Sequence, residues 1–181
     1  MKQLPQREFR EFVSAHADRI YNHAFRMLGN REDAEEAVQD IFLKVHRGIA
    51  DFRGDSNIRT WLYRITVNTC LTRLRNRKSS QFIVEPEGSE TGIQGEAIVA
   101  DDSNHEARFI ERDRNDFVIR ALELISAEEK EIMLLYHVDQ LKYREIAKVL
   151  GVPIGTVCAR IYRARKNLRA AMESTQRELR S

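Results

Sequence analysis

Between Ile154 and Ala171 the chain carries Arg160, Arg163, Arg165, Lys166 and Arg169 and no acid. Cations at three- and four-residue steps on a helix suit the phosphates of a nucleic acid, which attract charge without reading sequence. They lie in YREIAKVLGVPIGTVCARIY, residues 143–162, whose spacing is that of a helix-turn-helix. Ala147 is small where helices cross, Gly151 sits in the turn, and Ile146, Leu150, Val152, Val157 and Ile161 face inward. The bland alternative is a helical hairpin with a solvated basic face. A second group, Trp61, Arg64 and Asn68, falls at i, i+3 and i+7, followed by Arg73, Arg75, Arg77 and Lys78. One helix face then offers a ring to stack, an amide and a cation, as unstacked bases in single strands require. The same residues also read as a core tryptophan with a basic run complementing the helix C-terminus.

No residues are grouped for catalysis. His16, His23, His46, His105 and His137 are scattered, no glycine-rich phosphate loop occurs, and the paired acids read as exposed helical faces. Glu35, Glu36, Gln39, Asp40, Lys44 and Arg47 form one such charged face. Cys70 and Cys158 lack the spacing of a zinc site or a disulfide framework, which fits a reducing cytoplasm. Cys70 reads as a small core residue, Cys158 as a thiol beside the basic face. No metal, cofactor or small-molecule substrate is expected.

Helices must position these groups. Phe9, Phe12, Val13, Ile20, Ala24, Met27 and Leu28 form one apolar stripe that ends at Gly29-Asn30. Asn30 can cap a second helix, with Asp33 three residues on, whose stripe is Ala34, Ala37, Val38, Ile41, Phe42 and Val45 and whose end is Gly48. A turn-rich interval, Asp51 to Ser56, leads to a third helix from about Asn57 to Arg77, apolar around much of its circumference. From Ser79 to about Asn104 the helical period disappears among Gly, Ser, acids and Pro86, which predicts a flexible linker. The alternative there is a short hairpin of Phe82-Ile83-Val84 with Ala97-Ile98-Val99. Phe109, Phe117, Val118, Ala121, Leu122 and Ile125 restore a stripe, Ser126 and Glu129 make a capping box, and two further helices meet at Gly151-Val152-Pro153.

The fold expected is all-α, with two small helical domains, three helices at 1–78 and four at 106–181, joined by residues 79–105. Charge follows the same division. Residues 1–78 carry a net +5, residues 79–111 a net −7 and residues 112–181 a net +4, although the 181-residue chain carries only +2. Two basic blocks on an acidic tether suggest two modules that meet a polyanion. With 32% charged residues and no run of about 18 apolar ones, no membrane span or targeting segment is expected.

With those residues in hand, the chain resembles the extracytoplasmic-function (ECF) group of the sigma-70 family of bacterial RNA polymerase sigma factors. DAEEAVQDIFLKVHR, Asp33 to Arg47, is similar to the family's segment that binds the clamp helices of core polymerase. FRGDSNIRTWLYRITVNT, Phe52 to Thr69, is similar to its minus-10 segment, and YREIAKVLGVPIGTVCARIYRARKNLR to its minus-35 helix-turn-helix. The resemblance implies polymerase docking, at clamp and flap, with Asp33, Glu35, Glu36, Gln39, Asp40 and Phe42 at the clamp. It implies minus-10 recognition and melting by Phe52, Asp55, Ser56, Thr60, Trp61, Arg64, Asn68 and Arg75, holding a flipped base. It implies minus-35 contacts from Tyr143, Pro153, Thr156, Cys158, Arg160, Tyr162, Arg163 and Lys166. Cys158 and Ala159 stand where the family commonly has a basic residue followed by Ser, which puts its usual base-by-base reading of that element in question. Also implied are a non-enzymatic role, promoter DNA as both duplex and single strand, and an anti-sigma partner able to hold the cytoplasmic chain at the inner face of the membrane. The rival from another class is a stand-alone helix-turn-helix regulator that binds duplex operators.

Overall fold

The computed structural model describes residues 6–52, 57–81, 118 and 120–178. The linker and hairpin readings for residues 82–105, and the positions of Asp55 and Ser56, lie outside the described residues. Helix α1 (Gln6–Leu28) turns through Gly29 into α2 (Arg31–Gly48). Asn30 caps α2 as its sequence requires, its Oδ1 accepting from the Asp33 N–H at 2.8 Å. So short a connection makes the helices neighbours. Ile20, Ala24 and Met27 of α1 pack with Ala34, Ala37, Ile41 and Val45 of α2, all 2% exposed or less. A 3-10 turn, Ile49–Asp51, follows.

Helix α3 (Ile58–Gln81) completes the first bundle, with Leu62, Tyr63, Val67 and Cys70 inside. It runs four residues past Arg77, into the first residues read as linker. No Gly or Pro interrupts it before Pro86, and the Ser79 hydroxyl donates to the Arg75 carbonyl at 3.1 Å, a bond made within a helix.

In the second half, residues 120–123 are helical. Ser126 and Glu129 form the expected capping box of α4 (Ala127–Met133), which widens into a π turn, Leu134–Val138. There the Asp139 N–H reaches the Leu134 carbonyl at 2.9 Å and Leu141 reaches that of Leu135 at 3.0 Å. Gln140 takes φ 57° to make the exit. Helix α5 (Tyr143–Leu150) meets α6 (Ile154–Glu178) through Gly151, φ 65° and ψ 34°. The Val152 N–H returns to the Ala147 carbonyl at 3.1 Å, the hydrogen bond that closes such a left-handed cap. A Cβ on Gly151 would meet nothing within 4 Å, so only backbone strain opposes it. Gly151→Ala is therefore expected to lower unfolding stability by about 1 kcal/mol, read in urea denaturation.

The two halves pack on each other. Helix α3 lies against α5, and one apolar cluster runs from Ile20, Ile41, Leu62 and Val67 to Ile132, Leu135, Leu141, Ile146 and Ile161. Local stripes alone predict two modules. They do not reveal that both bury part of their apolar surface in a shared seam.

Candidate nucleic-acid interface

On α3 the residues proposed to meet unpaired DNA form a single stripe. At 100° per residue, Trp61, Arg64, Asn68 and Arg75 fall within about 60° of one another. Arg64, Asn68 and Arg75 are exposed and Trp61 is half-buried. The indole stands against Phe52, ring centroids 5.4 Å apart, and against the end of α2. A Cβ at Gly48 would come within 3.3 Å of the indole Cζ2, so the missing side chain lets the ring lie flat there. The sequence marks Gly48 only as a helix end, and its second role needs the fold. Thr60 departs from the expectation. It is 3% exposed, turned into the packing, so here it supports the stripe and is not presented to a ligand. The basic run also divides. Arg73 and Arg77 turn to α2, while Arg75 and Lys78 face solvent.

Those turned arginines organise the α2 face. The Arg73 guanidinium donates to Glu36 at 3.0 Å and to Asp40 at 2.5 Å, and Arg77 approaches Asp33 at 3.6 Å. Lys44 donates to the Thr69 hydroxyl at 2.9 Å, and Arg31 pairs with Glu35 at 2.7 Å. Glu35, Glu36 and Gln39 are exposed, Asp33 and Asp40 half-buried. The acids thus form one outward patch braced from α3. Phe42 is half-buried against the core and anchors the helix beneath that patch.

Helix α6 buries Val157, Ile161, Ala164 and Ala171 and turns the opposite arc outward. Cys158, Tyr162, Arg163 and Lys166 stand on that arc, with Tyr162 72% exposed. Thr156 and Arg160 are half-buried at its edge, and exposed Pro153 begins the helix. Arg160 and Arg163 line a shallow cleft with the cap residue Ser126 and with Glu128 and Glu129 of α4. Burial pushes the Glu129 carboxyl up, but hydrogen bonds from Ser126 and Asn167 and the Arg163 charge outweigh it and hold it low. Glu129 is thereby an anion held by Ser126 and Asn167 within the field of Arg163. At the other edge, Tyr143 packs on Tyr136, centroids 5.2 Å apart, and Arg165 covers the Tyr136 ring at 5.1 Å. Two cation-bearing surfaces result, one with a stacking ring and one with a protruding helix. Among the described residues no cluster could hold a metal ion and no helix is long and apolar enough to cross a membrane.

Sequence reading missed a buried group on the opposite side of α3, where His23 meets Glu131 and Asp139 from the second half. Its only local sign is a histidine within the apolar stripe of α1, between Ile20 and Ala24.

Two family profiles match, Sigma-70 region 2 over residues 12–80 and Sigma-70 region 4 over residues 118–168. The chain is similar to the ECF RNA polymerase sigma factor SigW of Bacillus subtilis, 31% identical over 170 residues, covering 93% of this chain and 91% of the relative. It is similar to the ECF RNA polymerase sigma-E factor of Escherichia coli K12, 34% identical over 155 residues, covering 81% and 79%. The fold is that of the sigma factor RpoE from Bartonella quintana, solved with the anti-sigma factor NepR, with TM-score 0.69 at 23% identity over 92% of this chain and 97% of that one. It is also that of CnrH, solved with the cytosolic domain of CnrY, with TM-score 0.66 at 24% identity over 94% and 90%. A lone operator-binding module would match in region 4 alone; the likeness instead runs through both halves. The chain belongs to the ECF RNA polymerase sigma factors, initiation subunits that bind core polymerase and direct it to promoters.

Proposed function

We propose a division of labour among the three surfaces. The acidic patch of Asp33, Glu35, Glu36, Gln39 and Asp40, with Phe42 beneath it, docks on the polymerase clamp. The Trp61, Arg64, Asn68 and Arg75 stripe, with Phe52, Asp55 and Ser56, opens the minus-10 element and holds a flipped base. The α6 arc, with Tyr143, Pro153, Thr156 and Arg160 at its edges, reads the minus-35 element in the major groove, where Arg can grip guanine. Residues 1–78, 79–105 and 106–181 serve as region 2, linker and region 4. The factor performs no chemistry of its own, works in the cytoplasm, and is held inactive by an anti-sigma protein, which can tether it at the inner membrane face.

One observation carries this reading: a ring, an amide and two cations share one stripe of α3, on a different helix from the basic arc of α6. Extruding a base costs a few kcal/mol, and such a stripe offers stacking and hydrogen bonds in return. The test is runoff transcription with core polymerase on genomic promoter fragments. A defined start that requires the protein supports the reading. Duplex binding with no protein-dependent transcript from any core preparation would sink it. On a promoter so found, Arg163→Ala is expected to weaken binding by about 1–3 kcal/mol with altered base preference. A loss uniform across sequences makes Arg163 a phosphate contact.

A further inference from the structure

The seam between the two halves contains a charge cluster that none of these roles uses. His23 of α1 is 1% exposed and lies between two carboxylates of the second half. Its Nδ1 is 2.6 Å from Asp139 Oδ2 and its Nε2 is 3.1 Å from Glu131 Oε1. Glu131 is 1% exposed and Asp139 6%. From α3 the Tyr63 hydroxyl donates to Asp139 Oδ1 at 2.6 Å. The Arg59 guanidinium donates to the Asp139 main-chain carbonyl and lies 5.7 Å over the Tyr63 ring. Cys70 of α3 feels the Glu131 charge. Glu131 Oε2 has no hydrogen-bond partner.

His23 stands in ion-pair contact with both carboxylates, whereas Arg59 reaches Asp139 at its main-chain carbonyl and Lys44 and Arg73 act from the Cys70 side. Without that proton, both buried carboxylates lose the charge they contact directly, and a buried network with a missing partner is strongly unfavourable. Every ion pair of His23 in this cluster crosses from the first half to the second. The stripe of α3 and the cluster lie on opposite sides of the helix, since Arg59 and Tyr63 are about 100° to 200° around from Trp61, Asn68 and Arg75.

We infer that the cluster is a proton-operated latch: it holds region 4 against region 2 in a closed form too short for a promoter, and it lets go when His23 loses its proton. The span argument rests on the sigma-factor reading of the two surfaces. Elements named minus-10 and minus-35 lie about 25 base pairs apart, about 85 Å of duplex at 3.4 Å per pair. A compact unit of this length is about 40 Å across. Closure therefore leaves both DNA surfaces open to solvent yet keeps them from engaging together.

The sign follows from His23. Burial alone pushes its imidazole down, but the Glu131 charge and hydrogen bonds with Asp139 and Glu131 outweigh this and raise it to about 10. In the open chain it returns toward the ordinary 6.5. Closing thus takes up a proton. The latch has full strength below the ordinary value and is lost as pH rises through about 10, the closed-to-open ratio falling about tenfold per unit between. Tyr63 and Cys70 are pushed up, chiefly by burial, and stay protonated throughout.

Small-angle scattering of the full chain tests this, with circular dichroism confirming constant helix content. The wild type is expected to be compact at pH 6 and expanded at pH 11, above the value of about 10 for closed His23, its closed-to-open ratio already dropping about 100-fold from pH 7 to pH 9. His23→Gln, which keeps hydrogen-bonding groups but cannot titrate, should be expanded at both. A wild-type radius of gyration equal at pH 6 and pH 11 overturns the latch. So does a His23→Gln chain that is compact at pH 6 and opens over the same range as wild type. If that variant loses helix content, the wild-type comparison decides alone. Scattering reads closure whether or not the chain supports runoff transcription, so failure of the latch and failure of the promoter reading remain distinguishable.

Discussion

Replacing Arg64 and Asn68 together by alanine is expected to cut open-complex formation on an intact duplex promoter by about 30-fold or more. In the proposed role each contact to an unpaired base is worth about 1–3 kcal/mol, and both would be made only after the base leaves the stack. The cost of unstacking is unchanged, so the loss falls on melting and not on the first encounter. Both side chains are exposed, so helix content and melting temperature should stay near wild type. Permanganate reactivity of promoter thymines reads the open complex directly, and duplex affinity of the same variant reads the encounter. Wild-type thymine reactivity in the double variant would make the stripe ordinary solvated surface.

The second large effect separates neighbours in sequence. Ile161 is 1% exposed beneath α6, and Tyr162 is 72% exposed on its outer arc. Ile161→Ala removes buried carbon and leaves a cavity in a seam that also contains Leu135, Leu141 and Ile146, a loss of about 2–5 kcal/mol. Tyr162→Ala should stay within about 0.5 kcal/mol of wild type in unfolding while weakening minus-35 DNA. Urea denaturation beside DNA titration checks both. Equal destabilisation by the two would mean that the outer arc is covered by protein.

What the chain reveals before folding depends on whether the signal is local. Ile41 and Val45 recur with the helical period, Asn30 and Ser126 start helices through bonds to residues three positions on, and Gly151 must supply a left-handed turn. These stereochemical demands act within a few residues, so helices, caps and helix-turn-helix are legible. Trp61, Arg64 and Asn68 are legible as a stripe for the same reason. His23 and Asp139 are 116 residues apart, and neither has a neighbour that announces the other. Arg73 reads as part of a basic tail until packing sets it against Glu36 and Asp40. Thr60 shares a segment with Trp61 but not its face, because one residue along a helix is a 100° rotation.

The π turn at Leu134–Val138 sets local comfort against global alignment. An α-turn there would have better hydrogen-bond geometry, but taking out the extra residue would rotate everything beyond it by about 100°. Asp139 would swing from Tyr63 and His23, and Leu141 from the core. The length of this short stretch, more than its composition, thus functions as a gear tooth: one residue decides whether the two halves of the molecule mesh.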